Sequence, residues 1–163
     1  MPAYEFASKG FSRVEVNSNG SKPHDTLAGQ LLDWPLKPTW LIGPPSESYG
    51  FESRRLASES IPPLLDRASP LRSAHFRDPM GPQIHFGVES FMDELALATN
   101  MDPVEFRLRY LKHPRDIAVV KTVAEKSGWK PHVGAGKQQN GDVFTGRGIA
   151  YSVRGQTRVA VVA

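Results

Sequence analysis

The residue run with the most chemical potential is Phe76-Arg77-Asp78-Pro79-Met80-Gly81-Pro82-Gln83. It combines a guanidinium fork, a glycine and two prolines, and it leads straight into an amphipathic segment. A loop stiffened by proline at a helix entry can hold backbone groups against a ligand; an ordinary connecting loop is the plainer account of the same periodicity. Other constellations carry less. The five histidines, His24, His75, His85, His113 and His132, show no metal-type spacing such as i, i+4 on one helix. His75 and His85 flank the loop, and surface positions are the ordinary account of both. Gly134-Ala135-Gly136-Lys137 suggests a phosphate loop, but Pro131 and Gln138 break the Gly-x4-Gly-Lys-Ser/Thr pattern at both ends. Glu89, Asp93 and Glu94 look like paired carboxylates. On a helix beginning near residue 88 they read instead as charge suited to the positive helix end and as solvated surface. No Gly-x-Ser-x-Gly element supports a nucleophilic serine.

Three helices are expected to position that loop. Val88, Phe91, Met92 and Leu95 fall at i, i+3, i+4 and i+7, which predicts a helix over Val88–Asn100 with that face buried. Asp102-Pro103-Val104-Glu105 is a helix start: Asp102 caps, Pro103 takes the first position, and Glu105 holds the capping-box place. Val104, Leu108 and Leu111 then share a face. A third helix is expected from about Pro114 to Ser127, with Ile117, Val120 and Ala124 facing inward beside Val119 and Val123, and Gly128 ending it in a left-handed cap. Pro131 to Asp142 reads as a loop. Gly148–Val153 and Thr157–Val162 read as strands joined through Arg154-Gly155-Gln156 in a hairpin.

The N-terminal part is less patterned. Residues 11–16 are strand-like and 17–20 turn-like. Leu27–Leu32 suits a short helical turn, and prolines 35, 38, 44 and 45 enforce extended or turn structure. Trp34, Trp40, Leu41 and Ile42 call for a packing partner, and Ser46–Ser60 reads as a surface loop. The fold class expected is α+β: an irregular, proline-rich segment over 1–70, an array of three helices and a C-terminal β-hairpin.

Composition narrows the class of partner. Apolar residues make up 39% and charged residues 23%, on the polar side for a globular chain. A net charge of +3 without a Lys/Arg block does not argue for nucleic acid. Zero cysteines exclude disulfides, thiolate metal sites and iron–sulfur ligation by this chain. No apolar stretch has the length of a membrane span, and the N-terminus lacks the basic-then-apolar pattern of a signal peptide.

Phe76-Arg77-x-x-x-Gly81-Pro82-Gln83-x-x-Phe86-x-Val88-Glu89 resembles the F-R-G-F-G-G-P-Q…F-A-I-E segment of molybdenum hydroxylase large subunits. That family includes xanthine dehydrogenase and aldehyde oxidase, and the isoquinoline 1-oxidoreductase beta-subunit type is the nearest in pattern. Ser90-Phe91-Met92-Asp93-Glu94-Leu95-Ala96, with Met101-Asp102-Pro103-Val104-Glu105-Phe106-Arg107-Leu108-Arg109-Tyr110-Leu111, resembles the same family's S-F-M-D-E-L-A…G-x-D-P-V-E-F-R-L-R-N-L signature. The likeness extends over roughly residues 60–163, through Pro114-Arg115, Ala124-Glu125-Lys126 and Trp129 to Gly146-Arg147-Gly148-Ile149-Ala150. Pro70-Leu71-Arg72-Ser73 is similar to the approach to the loop.

The resemblance implies that 71–163 is part of a molybdopterin-binding domain, with helices over about 88–127 and strands over about 148–162. It implies a parent that oxidises an aldehyde or N-heteroaromatic carbon with oxygen from water, using a molybdenum–molybdopterin cofactor. Phe76, Arg77, Gly81 and Gln83 would be the cofactor contacts; no catalytic and no metal-ligating residue is assigned. The implied partners are the remainder of the large subunit, a [2Fe-2S] small subunit and a small aldehyde or N-heteroaromatic substrate.

Departures from the family pattern also carry information. Asp78, Pro79 and Met80 stand where the xanthine dehydrogenase form has an aromatic residue between glycines. That disfavours purine substrates and favours the branch in which an Arg-x-Pro loop occurs. The G-G-G-F-G loop and the G-x-G-E motif with the family's general base do not occur in this sequence, so it is expected to be a fragment, inactive alone and marginally stable. Two other classes stay open: a non-catalytic structural or interaction module derived from the family, and an unrelated basic α+β binding domain.

Overall fold

The structure, a computed structural model, describes residues 4–11, 31–32, 48–61, 81–134 and 138–163. The chain divides into two units, one formed by Met1–Ser46 with Arg54–Pro82 and the other by Glu47–Ser53 with Gln83–Ala163. Among the described residues, three helices and three small two-stranded sheets make it α+β.

The first unit contains β1 (Tyr4–Phe11) and β2 (Arg54–Ile61), paired in parallel with Tyr4 opposite Arg54 and Phe11 opposite Ile61. The surface loop expected at Ser46–Ser60 is therefore a strand from Arg54 on. Its alternation was masked because charged and hydroxyl side chains occupy both faces, and cross-strand pairing, including Lys9 Nζ to Glu59 Oε2 at 2.7 Å, favours the extended form. Leu31 and Leu32, from the helical turn expected at Leu27–Leu32, are exposed. The expectations for 12–30, 33–47, 62–80 and 135–137 lie outside the described residues. Phe76 and Arg77 are among these.

The second unit contains α1 (Gly81–Ala98) from Gln83 on, and this helix begins seven residues before the predicted Val88. Pro82 fits the first turn, where a missing N–H costs nothing. An i+4 row of Ile84, Val88, Met92 and Ala96 continues the apolar stripe backward, with the last three of these buried. Phe91, expected on the buried face, is more than a third exposed. The helix ends in a Schellman motif: Met101 N–H donates to the Ala96 carbonyl at 2.8 Å and Asn100 N–H to Leu97 at 3.0 Å. Asn100 takes the left-handed position at φ 53°, which asparagine tolerates better than most residues.

Helix α2 (Pro103–Tyr110) starts as its sequence demands. Asp102 accepts from Val104 N–H at 2.9 Å and Glu105 N–H at 3.0 Å. Of the face expected, Val104 and Leu111 are buried and Leu108 is half-buried, and Pro103, Phe106 and Arg107 are buried beside it. Helix α3 (Pro114–Lys126) buries Val120 fully, half-buries Ile117, Val119, Val123 and Ala124, and ends at Gly128 with φ 62°. Part of the expected 131–142 loop is instead a small hairpin, β3 (Gln138–Asn140) against β4 (Val143–Thr145), turned at Gly141 with φ 61°.

The C-terminal hairpin is as the sequence predicts, β5 (Ile149–Arg154) antiparallel to β6 (Thr157–Val162). Gly155, at φ 56°, opens its two-residue loop. Ile149 and Tyr151 point to the buried face, and β6 lies against α3. There Arg158 Nε donates to Asp116 Oδ1 at 2.8 Å. No helix among the described residues is long and apolar enough to cross a membrane.

Candidate functional site

Two side chains of opposite charge organise the second unit. Arg107, on α2, is 0% exposed, and Glu89, on α1, is also buried. Arg107 Nε donates to Glu89 Oε2 at 3.0 Å and Nη2 to the Glu89 carbonyl at 3.1 Å. Its Nη1 donates to Asp93 Oδ1 at 2.7 Å and to the Pro103 carbonyl at 3.1 Å. Glu89 is satisfied from three sides. Tyr49 Oη donates to Oε1 at 2.9 Å, and the Tyr151 backbone N–H donates to Oε2 at 2.9 Å. One carboxylate thus joins α1, α2, β5 and the Tyr49–Phe51 run, whose Gly50 N–H in turn donates to the Tyr110 carbonyl at 2.7 Å. Burial disfavours the Arg107 charge, but Tyr49, Glu89 and Asp93 more than reverse this, so its pKa lies above the ordinary guanidinium value.

The sequence reading of Glu89 and Asp93 as solvated surface is corrected here. Glu89 is buried because Arg107 meets it, and Asp93, half-exposed, takes the outer prong of the same fork. A signal was available: Glu89 sits between Val88 and Met92 on the apolar stripe, and Arg107 adjoins Phe106 on the next helix. Opposite charges on the inward faces of successive helices point to a buried pair.

Two tyrosines add an alkaline sensitivity. Burial, then the Glu89 charge, raises the pKa of Tyr49; burial, then Asp116, raises that of Tyr151. In the unfolded chain both ionise near about pH 10. Protons are therefore retained by the folded state where the unfolded state has lost them. Stability is fully present below about pH 10 and falls above it, by roughly 1.4 kcal/mol per pH unit for Tyr49 and by less for Tyr151. Urea unfolding at about pH 9 and about pH 11 checks this, and Tyr49→Phe should remove the larger part of the decline. An unchanged slope in that variant would rule out the assignment.

A second hub is Asp102. Beyond its cap, Oδ2 accepts from Trp129 Nε1 at 2.9 Å and His132 N–H at 3.0 Å, and the His132 ring lies against Trp129 at 4.9 Å. His113 caps α3, its Nδ1 accepting from Arg115 N–H at 3.2 Å. These two histidines are structural, and among the described residues no group of His, Asp or Glu could hold a metal.

A cleft of about 400 Å³ lies between α1 and the outer face of the β5–β6 hairpin. Phe86, Val159 and Val161 give it apolar walls, and His85 Nε2 meets Ser152 Oγ at 3.1 Å. This pair is not a catalytic dyad with an orienting acid. The adjacent Glu89 has both oxygens engaged, and among the described residues no carboxylate bonds the other His85 nitrogen. Of the four residues assigned to a cofactor, Phe76 and Arg77 lie outside the described residues. Gly81 is buried and Gln83 exposed, and both belong to the first turn of α1 rather than to a loop.

Over 105 residues the chain is 39% identical to a nicotinate dehydrogenase subunit of Pseudomonas putida, a match covering 64% of this chain and 8% of that protein. Over 104 residues it is 38% identical to the beta subunit of isoquinoline 1-oxidoreductase of Brevundimonas diminuta, covering 60% of this chain and 12% of that protein. The chain thus spans about a tenth of the length of these curated relatives. No protein-family model matches it, and no solved structure matches it. By name, both relatives are subunits of oxidoreductases, and it is to such subunits that this chain is similar.

Proposed function

We propose that this chain is part of the molybdopterin-binding subunit of a molybdenum hydroxylase acting on an aldehyde or N-heteroaromatic carbon. The observation that carries the reading is the 39% identity over 105 residues to a nicotinate dehydrogenase subunit. In this reading the buried Glu89–Arg107 pair fixes α1, and α1 presents the cofactor-side residues at its start. Its first turn carries no acidic side chain, and Gln83 is exposed there, so amide donors at that end suit the anionic groups of a pterin cofactor. Gly81 adds no side chain to that turn. Arg77 would add a charged fork and Phe76 an apolar wall. The cofactor, when bound, supplies the oxidation of the substrate carbon with oxygen from water. The chain's own share is to bind and orient it, together with the remainder of the large subunit and a [2Fe-2S] small subunit.

The test is to purify the complex formed in its native host through a tag on this chain and to measure molybdenum and pterin. Both are expected in the complex, and Arg77→Ala together with Gln83→Ala should lower them while leaving the melting temperature unchanged. A complex without molybdenum or pterin would overturn the reading. It would favour the non-catalytic module instead, for which Asp78-Pro79-Met80, in place of the family's glycines and aromatic, is the specific observation.

A further inference from the structure

The two edges of the β5–β6 hairpin are unequal. Gly148 and Ala163 exchange both backbone hydrogen bonds, at 3.0 and 3.1 Å. By the antiparallel alternation, Ala150, Ser152, Val159 and Val161 then point their N–H and C=O groups into the hairpin. Ile149, Tyr151 and Val153 point theirs outward on β5; Arg158, Ala160 and Val162 do so on β6. The β5 edge is partly occupied: Glu89 of α1 accepts the outward Tyr151 N–H, and His85 of α1 meets Ser152 Oγ. Among the described residues no strand pairs with the outer edge of β6.

The surroundings of that edge define what can pair with it. Arg158, the charge on β6, is drawn to the inner face by Asp116, so no free charge guards the edge as one does in many edge strands. On the outer face Val159 and Val161 are 49% and 53% exposed, and Phe86 beyond them is 77% exposed. On the inner face α3 covers β6. A second copy joined antiparallel would bring its own α3 onto that same face, where helices need about 8–10 Å between axes and adjacent strands stand only about 5 Å apart. A segment without an attached helix meets no such obstacle.

We propose that the outer edge of β6 is a strand-addition site for an extended segment with apolar residues at alternate positions, supplied by the rest of a large subunit of the kind this chain resembles. This rests on the function proposed above. The added strand would take the outward groups of Arg158, Ala160 and Val162 in about six hydrogen bonds if antiparallel. Its apolar side chains would extend the Val159–Val161 face toward the cleft.

The probes are overlapping synthetic peptides covering the Pseudomonas putida nicotinate dehydrogenase relative outside its matching segment, with an alternating Thr/Val peptide as a generic strand. Amide hydrogen exchange of the intact chain is the readout. In the free chain the Arg158, Ala160 and Val162 amides should exchange at least about tenfold faster than those of Val159 and Val161. At least one peptide from the relative should slow the outward set. Ala160→Pro removes an outward N–H and leaves the hairpin's own ladder whole; it should abolish that protection while Val159 and Val161 stay protected. Outward amides already protected in the free chain, or peptide protection that survives Ala160→Pro, would overturn the proposal. Protection by neither probe overturns the edge itself. Protection by the Thr/Val peptide alone overturns the large subunit as source, whatever the molybdenum content shows.

Discussion

Arg107→Ala is expected to destabilise the second unit by about 3–5 kcal/mol, the range for breaking one side of a buried pair. The loss has three parts. Glu89 keeps its charge in a buried place with only Tyr49 and the Tyr151 amide as donors. The Pro103 and Glu89 carbonyls lose their guanidinium partners. A cavity opens where the largest fully buried side chain of the described residues stood. Arg107→Lys should recover only part of this, because an ammonium cannot meet Glu89 and Asp93 in one plane. The joint replacement Glu89→Leu, Arg107→Met removes both charges and should cost less than Arg107→Ala alone. Denaturant unfolding of the three variants decides. A double variant less stable than Arg107→Ala would mean that the pair is held for its hydrogen bonds rather than tolerated as a charge.

Phe106→Ala is expected to cost about 3–5 kcal/mol as well, through a different mechanism, the transfer and cavity terms for a buried aromatic. Phe106 is 0% exposed, and its ring lies 4.8 Å from Tyr110, which in turn stands 4.5 Å from Phe51. Phe106→Leu refills most of the volume and should cost under half as much. Thermal unfolding of both variants gives the comparison, and equal losses would show that ring stacking outweighs volume at this site.

The elements most legible in the sequence were those marked by local chemistry. Asp102-Pro103 fixes the start of α2 through a side-chain cap and a ring that needs no donor. Gly128 and Gly155 mark a helix end and a hairpin loop because each needs a positive φ. What escaped was decided by partners distant along the chain. β2 extends because β1 pairs with it, and nothing in Arg54–Ile61 alone requires that. Glu89 reads as surface charge until Arg107 is placed beside it. The first turn of α1 was hidden by Gly81 and Pro82, residues that usually punctuate rather than begin a helix. Of the candidate site, Gln83 and Gly81 fall on that turn, and the likeness to oxidoreductase subunits matches the resemblance read from Phe76 to Leu111.

The carboxylate of Glu89 also sets an order of events. Its partners lie 18, 40 and 62 residues away in sequence, while the turns ending α1 and α3 close over a few residues. Loop closure makes the distant contacts slow to gain, and the local ones are available at once. The helices and the β5–β6 hairpin are expected to form first and the charge cluster to close last. A lock of that kind acts on the rate of leaving the native state: weakening it should quicken unfolding and leave refolding nearly unchanged. Glu89→Gln is thus expected to shorten the lifetime of the folded second unit, which stopped-flow unfolding and refolding of that variant checks.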